Sequence, residues 1–371
     1  MEAKRYIGGK SPKAIFSRVS TASFLQQPDA MSLPLYLDHA ATTPLLPSAR
    51  AAMEQGFALW ANPSSPHRAG RAARAALEDA RERVKAALGW RGEVIFTSGA
   101  SEALSIAMTR SVALLMAIST VEHEAALRHG GDAARLGVDA LGLVNAQDCA
   151  LPGLVAVQQV NNETGVIQPM AEIAAAVRGV GGVLLADCAQ GAGKIALPDA
   201  DMAVLSAHKF GGPVGIGALL LRDAGLIQPS GGQERGYRPG TENLPGVLAM
   251  AAALEEGADW MAQAADLRAR LESAIAGAGG EVVAGTSPRI ATIGAYRMPG
   301  RASAAQLIRF DGLGVAISAG SACSSGSLRV SHVLTAMDYP HPAEVIRVSI
   351  GRETTVDDID RFAEIWARVA A

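Results

Sequence analysis

The sequence predicts an α/β protein with a mostly parallel sheet in a large domain and a smaller α+β C-terminal domain. Three observations carry this. Short apolar runs alternate with helix-period segments between Glu93 and Leu221, the pattern of a parallel sheet covered on both faces. The pattern changes after Gly232, where long helical stretches and a few short strands follow. The chain has 371 residues, more than one small core needs and too few for three ordinary domains. The reading divides it into an extension at 1–30, a large domain at 31–243 and a small domain at 244–371.

Residues 1–30 hold Lys4, Arg5, Lys10, Lys13 and Arg18 against Glu2 and Asp29, without periodicity. They read as a leader or an upstream start, expected to lie outside the fold. From Pro66 to Leu88, Ala69, Ala73, Ala76, Leu77, Ala80, Val84 and Leu88 keep the 3.6 period of an amphipathic helix. Ser64 and Ser65 are the expected cap. Strands are expected at Glu93–Thr97, Val112–Ser119, Leu154–Val160, Val183–Asp187, Met202–Ser206 and Gly217–Leu221. Helices at Ala100–Thr109, Ala125–Leu136 and Met170–Val177 separate several of them. A long helix from Pro245 to about Ala276 opens the second part. Strands at Glu281–Ala284 and Ile290–Ala295, a helix at Ala302–Phe310, strands at Gly314–Ser318 and Val345–Ile350, and a helix at Val356–Val369 complete it.

Composition narrows the function classes. Lys and Arg total 33 against 36 Asp and Glu, a net charge of −3, which leaves no electrostatic footprint for nucleic acid. No apolar run reaches membrane-spanning length. Three distant cysteines argue against a disulfide framework and for a reducing, cytoplasmic setting. No Cys-x-x-Cys or paired histidine spacing suggests a metal. Gly193-Lys194 resembles the end of a nucleotide-binding loop, but Ile195 replaces the required hydroxyl residue.

In doubly wound folds ligands sit beyond the carboxyl ends of the strands, so the loops there are informative. Thr97-Ser98-Gly99-Ala100-Ser101-Glu102 leads from a strand into a helix start, an anion cradle or an ordinary capped helix. Asp187 ends an apolar strand, costly unless it meets a cation or donor, and otherwise a cap for the next turn. Ser206-Ala207-His208-Lys209 precedes a glycine-rich turn; burial and neighbouring cations there would make Lys209 a Schiff-base nucleophile rather than a solvated loop lysine. Ser318 to Ser327 is a Gly/Ser loop presenting Cys323, a better place for chemistry than for packing. Cys149 has no polar constellation, and Cys188 sits almost within an apolar run.

Together these residues resemble the cysteine desulfurases, pyridoxal-phosphate enzymes of fold type I, class V. The resemblance runs from Tyr36 to the last helix, in family order. Its segments are Tyr36 to Pro44, Asn62-Pro63-Ser64-Ser65, the Thr97 loop, Glu122-His123, Asn161 to Val166, Asp187 with Gln190, Ser206 with His208-Lys209, Arg238 to Asn243, the Cys323 loop, and Ile346-Arg347 with Gly351-Arg352. The resemblance implies that Lys209 binds the cofactor aldehyde and moves the Cα proton, while Asp187 holds the pyridinium. His123 would stack on the ring, and Asn162 and Gln190 would meet its phenolic oxygen. Ala100, Ser101, Ser206 and His208 would bind the phosphate, joined by Thr241 from the second subunit of a homodimer. Arg347, with Asn162, would hold the substrate carboxylate. Cys323 would take sulfur from L-cysteine as a persulfide, leave alanine, and pass the sulfur to an acceptor or scaffold protein of iron–sulfur assembly or tRNA thiolation. Departures include His39, Ser101, Ala103-Leu104-Ser105 and Val214. Two alternatives stand beside this reading: another class V aminotransferase or lyase, and a degenerate cofactor-binding subunit of a sulfur-transfer complex.

Overall fold

The computed structural model describes residues 34–320 and 330–371, and the fold below is that of the compact unit Leu35–Ala371. The expected extension at 1–30 and Cys323 lie outside the described residues. In chain order the strands are β1 (Leu35–Tyr36), β2 (Glu93–Thr97), β3 (Leu115–Ser119), β4 (Ala134–Leu136), β5 (Leu154–Gln158), β6 (Val183–Asp187), β7 (Met202–Ser206), β8 (Gly217–Leu221), β9 (Glu281–Val282), β10 (Ile293–Arg297), β11 (Val315–Ala316) and β12 (Val345–Ser349). The helices are α1 (Pro47–Leu59), α2 (Arg68–Leu88), α3 (Ala100–Arg110), α4 (Glu124–Leu127), α5 (Met170–Gly179), α6 (Leu244–Glu255), α7 (Met261–Gly277), α8 (Ser303–Gly312), α9 (His332–Ala336) and α10 (Val356–Ala370).

A seven-stranded sheet in the order β2-β8-β7-β6-β5-β3-β4 forms the centre. The pairs β3–β4, β3–β5, β5–β6 and β6–β7 are parallel, and β8 runs against both β7 and β2. β2 therefore shares the direction of the parallel strands, and six carboxyl ends meet at one edge. Successive strand side chains point to opposite faces, so each strand feeds two cores. Val155, Val157, Leu184, Ala186, Leu205 and Leu220 pack with α1, α2 and α6. Leu154, Ala156, Leu185, Met202, Val204 and Leu219 pack with α3 and α4. Burial on both faces is why these strands read as continuous apolar runs.

A second sheet, β12-β10-β9, is antiparallel. It buries Tyr296, Ile346 and Val348 against Leu267 and Leu271 of α7, Phe310 of α8 and Phe362 and Trp366 of α10. Phe310 and Phe362 stack with centroids 5.3 Å apart. Thr355 and Asp358 close a reciprocal capping box on α10, fixing where the chain turns out of β12. β1 pairs in parallel with β11, which ties the start of this unit to its C-terminal part.

The expected elements are present with instructive exceptions. The helix expected at Ala125–Leu136 ends at Leu127 and the chain becomes β4. Gly130-Gly131 intervenes, with Gly131 at φ +43°, and glycine there ends a helix without steric cost. The long helix from Pro245 is two, α6 and α7, broken at Gly257 with φ +70°. Capping of α2 falls to His67, whose Nδ1 accepts from the Gly70 amide at 3.2 Å, while Ser64 Oγ donates to Gln233 Oε1 at 2.7 Å. β3 starts at Leu115, leaving Val112 exposed. The periodicity did not reveal α1 or α9.

Candidate active site

The carboxyl ends of β2, β3, β5, β6 and β7 bring most of the expected residues to one edge of the large sheet. β7 ends in Ser206, and a single tight turn, Ala207–Lys209, follows. The Lys209 ammonium donates to the carbonyls of Ala40 and Ala41, each at 2.7 Å. Burial and the nearby Arg347 lower its pKa to about 8, although Asp38 and Asp187 pull the other way. A lysine so placed supplies free amine near neutral pH, as attack on a carbonyl requires.

Next to β7, β6 ends in the buried Asp187, which accepts the Ala189 amide at 2.9 Å through Oδ1. Burial raises its pKa, opposed by that N–H and by His123 and Lys209. The following turn is closed by the amides of Gly191 and Ala192 on the Cys188 carbonyl. It carries Gln190, whose Nε2 donates to the Ala40 carbonyl at 2.9 Å and whose Oε1 is buried with no hydrogen-bond partner among the described residues. An orphaned acceptor is costly and points to a donor beyond them.

His123 follows β3 and caps α4, its Nδ1 accepting from Ala125 at 3.1 Å. It is solvent-accessible, and partial desolvation with the Lys209 charge lowers its pKa against the pull of Asp187. Beneath it lies Glu122, fully buried, accepting the Gln158 amide at 2.6 Å. Burial and the Asp187 charge raise its pKa well above the usual carboxylate value, against the pull of the Gln158 amide. After β5, Asn161 folds its loop by accepting from Glu163 and Thr164. The Asn162 carbonyl accepts from Arg347 Nη1 at 2.9 Å.

Arg347 comes from the second sheet, on β12. It is 6% exposed; Nη2 donates to Asp38 at 2.7 Å, and Nε is buried with no hydrogen-bond partner among the described residues. The cradle lies after β2, where Gly99 precedes α3 at φ +156°. A Cβ on Gly99 would lie 3.4 Å from Ser206 Oγ, an ordinary contact, so it is the positive φ that asks for glycine here. The first amides of α3, at Ala100 and Ser101, have no intrahelical acceptor, and with the helix dipole they favour an anion. Glu102 holds the turn by accepting from the Ser98 amide and, at 2.9 Å, from Arg238. His208 meets Thr42 Oγ1 at 3.2 Å; burial and Lys209 lower its pKa to about 4, so it is a neutral donor or acceptor.

Thr241 is exposed and forms no hydrogen bond with the described site residues. Cys149 and Cys188 are buried, and burial raises both thiols, so neither is a ready nucleophile. Among the described residues no group of acids, histidines and cysteines could hold a metal, and no helix is long and apolar enough to cross a membrane. The sequence singled out neither Glu122, Asp38 nor Lys194 as functional. A charged residue just after an apolar stretch is the signal that marks Asp38 and Glu122; Lys194, after a glycine turn, carries no such local signal.

Residues 35–362 match the class-V aminotransferase family. The chain is 37% identical over 366 residues to a cysteine desulfurase of Bradyrhizobium diazoefficiens, covering 88% of this chain and 92% of that one. A solved NifS-like protein from Rickettsia africae is 27% identical with a TM-score of 0.83, over 91% of this chain and 99% of that one. SspA, solved in complex with cysteine, is 29% identical with a TM-score of 0.75, over 86% and 99% of the two chains. The architecture is accordingly the type I fold of the pyridoxal-phosphate enzymes. With its family match and its curated relatives in agreement, the chain belongs to the class-V aminotransferase family, among the cysteine desulfurases.

Proposed function

We propose that this protein is a pyridoxal-phosphate-dependent cysteine desulfurase that converts L-cysteine to L-alanine and retains the sulfur on Cys323. The observation that carries the reading is the convergence of a depressed lysine, Lys209, a buried carboxylate, Asp187, and a guanidinium fork, Arg347, at one sheet edge. The residues fit the cofactor. Gln190 Oε1 has no donor among the described residues, the Gly99 turn leaves the first α3 amides free for a phosphate, and Asp187 suits a protonated ring nitrogen.

Lys209 would bond the aldehyde, Asp187 would hold the ring N–H, Gln190 and Asn162 would meet the ring oxygen, and His123 would cover its face. Ala100, Ser101, Ser206 and His208 would hold the phosphate, with Thr241, exposed in its own chain, contributed by a second subunit. When bound, the cofactor supplies an electron sink that acidifies the substrate Cα. Arg347 binds the substrate carboxylate by a two-point fork, which orients Cα toward Lys209. Lys209 takes and returns the Cα proton, for which a pKa near 8 is well matched.

The Cys323 thiolate attacks the substrate sulfur. A new S–S bond forms, the C–S bond breaks with its electron pair on carbon, and that carbon gains a proton to leave as the methyl of alanine. The persulfide serves an acceptor or scaffold protein of iron–sulfur assembly or tRNA thiolation in the cytoplasm. The test is purified protein supplied with L-cysteine and a reductant, assayed for alanine and sulfide. Cys323→Ala should keep the visible absorbance of bound cofactor and lose sulfide release; full release from that variant would sink the persulfide step.

A further inference from the structure

Glu163 is 4% exposed, and its Oε2 accepts from Ser331 Oγ at 2.5 Å. The same carboxylate lies against the backbone of Gly320, where an added Cβ would run into Oε2 and Cδ of Glu163. The φ of Gly320 is outside the left-handed region, so close approach, not backbone freedom, is what asks for glycine there. In the sequence Gly320 and Ser331 stand on either side of Cys323, which comes three positions after Gly320.

Each of these two positions has a second tie to the site. Ser318 forms a bridge with Arg347, whose amide donates to the Ser318 carbonyl at 2.6 Å. Ser331 Oγ also accepts from the Leu334 amide at 3.1 Å and so caps α9. Beside it, His332 Nε2 donates to the Glu122 carbonyl at 2.9 Å, one residue before His123. Glu163 is itself held by its turn: Asn161 Oδ1 accepts the Glu163 and Thr164 amides, each at 2.9 Å, and the adjoining Asn162 carbonyl accepts from Arg347. One buried carboxylate, fixed on the wall that carries Arg347 and Asn162, thus touches the chain on both sides of Cys323.

We propose that Glu163 is a positioning residue for Cys323: by holding Gly320 and Ser331 on one carboxylate, it fixes both points between which the thiol is tethered, beside the arginine assigned to the substrate. The assignment rests on Cys323 being the sulfur acceptor of the proposed function. The concentration that a tethered group presents to its target depends on where the tether is held and how long it is. Releasing one point spreads the thiol over a larger volume, and its attack on the substrate sulfur slows. Lys209 bonds Ala40 and Ala41, and Asp187 bonds Ala189, so Glu163 enters the transfer of sulfur and not that of the Cα proton.

Two reactions of the holoenzyme separate these roles. Exchange of the Cα hydrogen of L-alanine in heavy water, followed by NMR, uses Lys209 and Arg347 but not the thiol. Persulfide formed on Cys323 from L-cysteine in a single turnover, read by mass spectrometry, uses all three. Glu163→Ala should slow persulfide formation by about tenfold or more and leave Cα exchange at the parental rate. Glu163→Gln, which keeps the size and an acceptor for Ser331, should restore most of the loss. Gly320→Ala, which drives a methyl group into the carboxylate, should show the same split, and it decides alone if Glu163→Ala does not fold. In the cofactor-free chain, amide exchange at residues 315–320 and 331–336 should quicken in Glu163→Ala. Equal losses in the two reactions, an unchanged persulfide rate, or unchanged amide exchange at both places overturns the proposal. Full sulfide release from Cys323→Ala would instead sink the reading beneath it, whatever Glu163 does.

Discussion

Arg347 donates to the Asp38 carboxylate at 2.7 Å, so the fork assigned to the substrate already holds a carboxylate of its own chain. Its other terminal nitrogen is taken by the Asn162 carbonyl. An incoming carboxylate must therefore compete with Asp38 for the guanidinium. Asp38→Asn keeps an acceptor at that position and removes the charge. The expected result is a KM for L-cysteine lower by about threefold to tenfold, about 0.7–1.4 kcal/mol, with kcat changed less. Arg347→Lys, which loses the fork, should raise KM by roughly tenfold or more. Steady-state kinetics on both variants checks this; a raised KM in Asp38→Asn would show that Asp38 orients Arg347 rather than competing for it.

Glu122 and Asp187 are two buried acids within electrostatic reach, and burial together with Asp187 raises the pKa of Glu122. A carboxyl whose folded pKa lies above its unfolded one adds stability that is complete below the unfolded value and is lost as pH rises toward the folded value. Glu122→Gln, neutral at every pH and still able to accept the Gln158 amide, escapes that loss. Its stability relative to the parent should grow between pH 4.5 and neutrality. Urea unfolding at several pH values measures it; a difference independent of pH would mean that Glu122 is not held protonated.

The central strands and their terminal loops were legible because burial on both faces writes itself as uninterrupted apolar runs, and Asp187, Ser206 and Thr97 mark where each run stops. The carboxylate fork was harder. Arg347 and Asp38 are joined only through pairing of the second sheet with the segment after β1, seen in the Asp38–Ser349 bridge, and no local pattern carries that. β4 was read as helix because alanine and leucine between Ala125 and Leu136 suit either state; the Gly130-Gly131 pair decided it. Lys194 was noticed only as part of a failed nucleotide motif, since burial of a lysine after a glycine turn is a tertiary fact.

Arg81 on α2 and Glu234 form a two-point ion pair at 2.8 and 3.0 Å, exposed by only 1% and 2%. Glu234 also accepts the Phe96 amide at 2.8 Å, and Arg81 lies over the Phe96 ring, 4.7 Å from its centroid. The pair therefore anchors α2 to β2, one residue before the strand end that leads to the Gly99 turn. Removing one partner strands a buried charge, at a cost of ~3–5 kcal/mol. Glu234→Gln should show a loss of this order in denaturant midpoint, and Arg81→Met with Glu234→Leu together should recover most of it. A loss no larger in Glu234→Gln than in the double variant would contradict the assignment.

Gly99 and Ser206 meet where the cradle passes the end of β7, and they give separable effects. In the proposed function Ser206 Oγ donates to the cofactor phosphate, and a hydrogen bond to a charged group contributes ~1.5–3 kcal/mol. Ser206→Ala should therefore weaken pyridoxal phosphate by about tenfold to a hundredfold, with little change in folding. Gly99→Ala sets a side chain at φ +156°, a conformation that glycine adopts freely and alanine does not, and brings its Cβ to 3.4 Å from Ser206 Oγ. It should weaken the cofactor and also lower Tm, because the strain is present before anything binds. Fluorescence titration with the cofactor and thermal melts of the cofactor-free chain distinguish the two variants. Equal melting losses in both would place the Ser206 hydroxyl in the fold rather than at the anion.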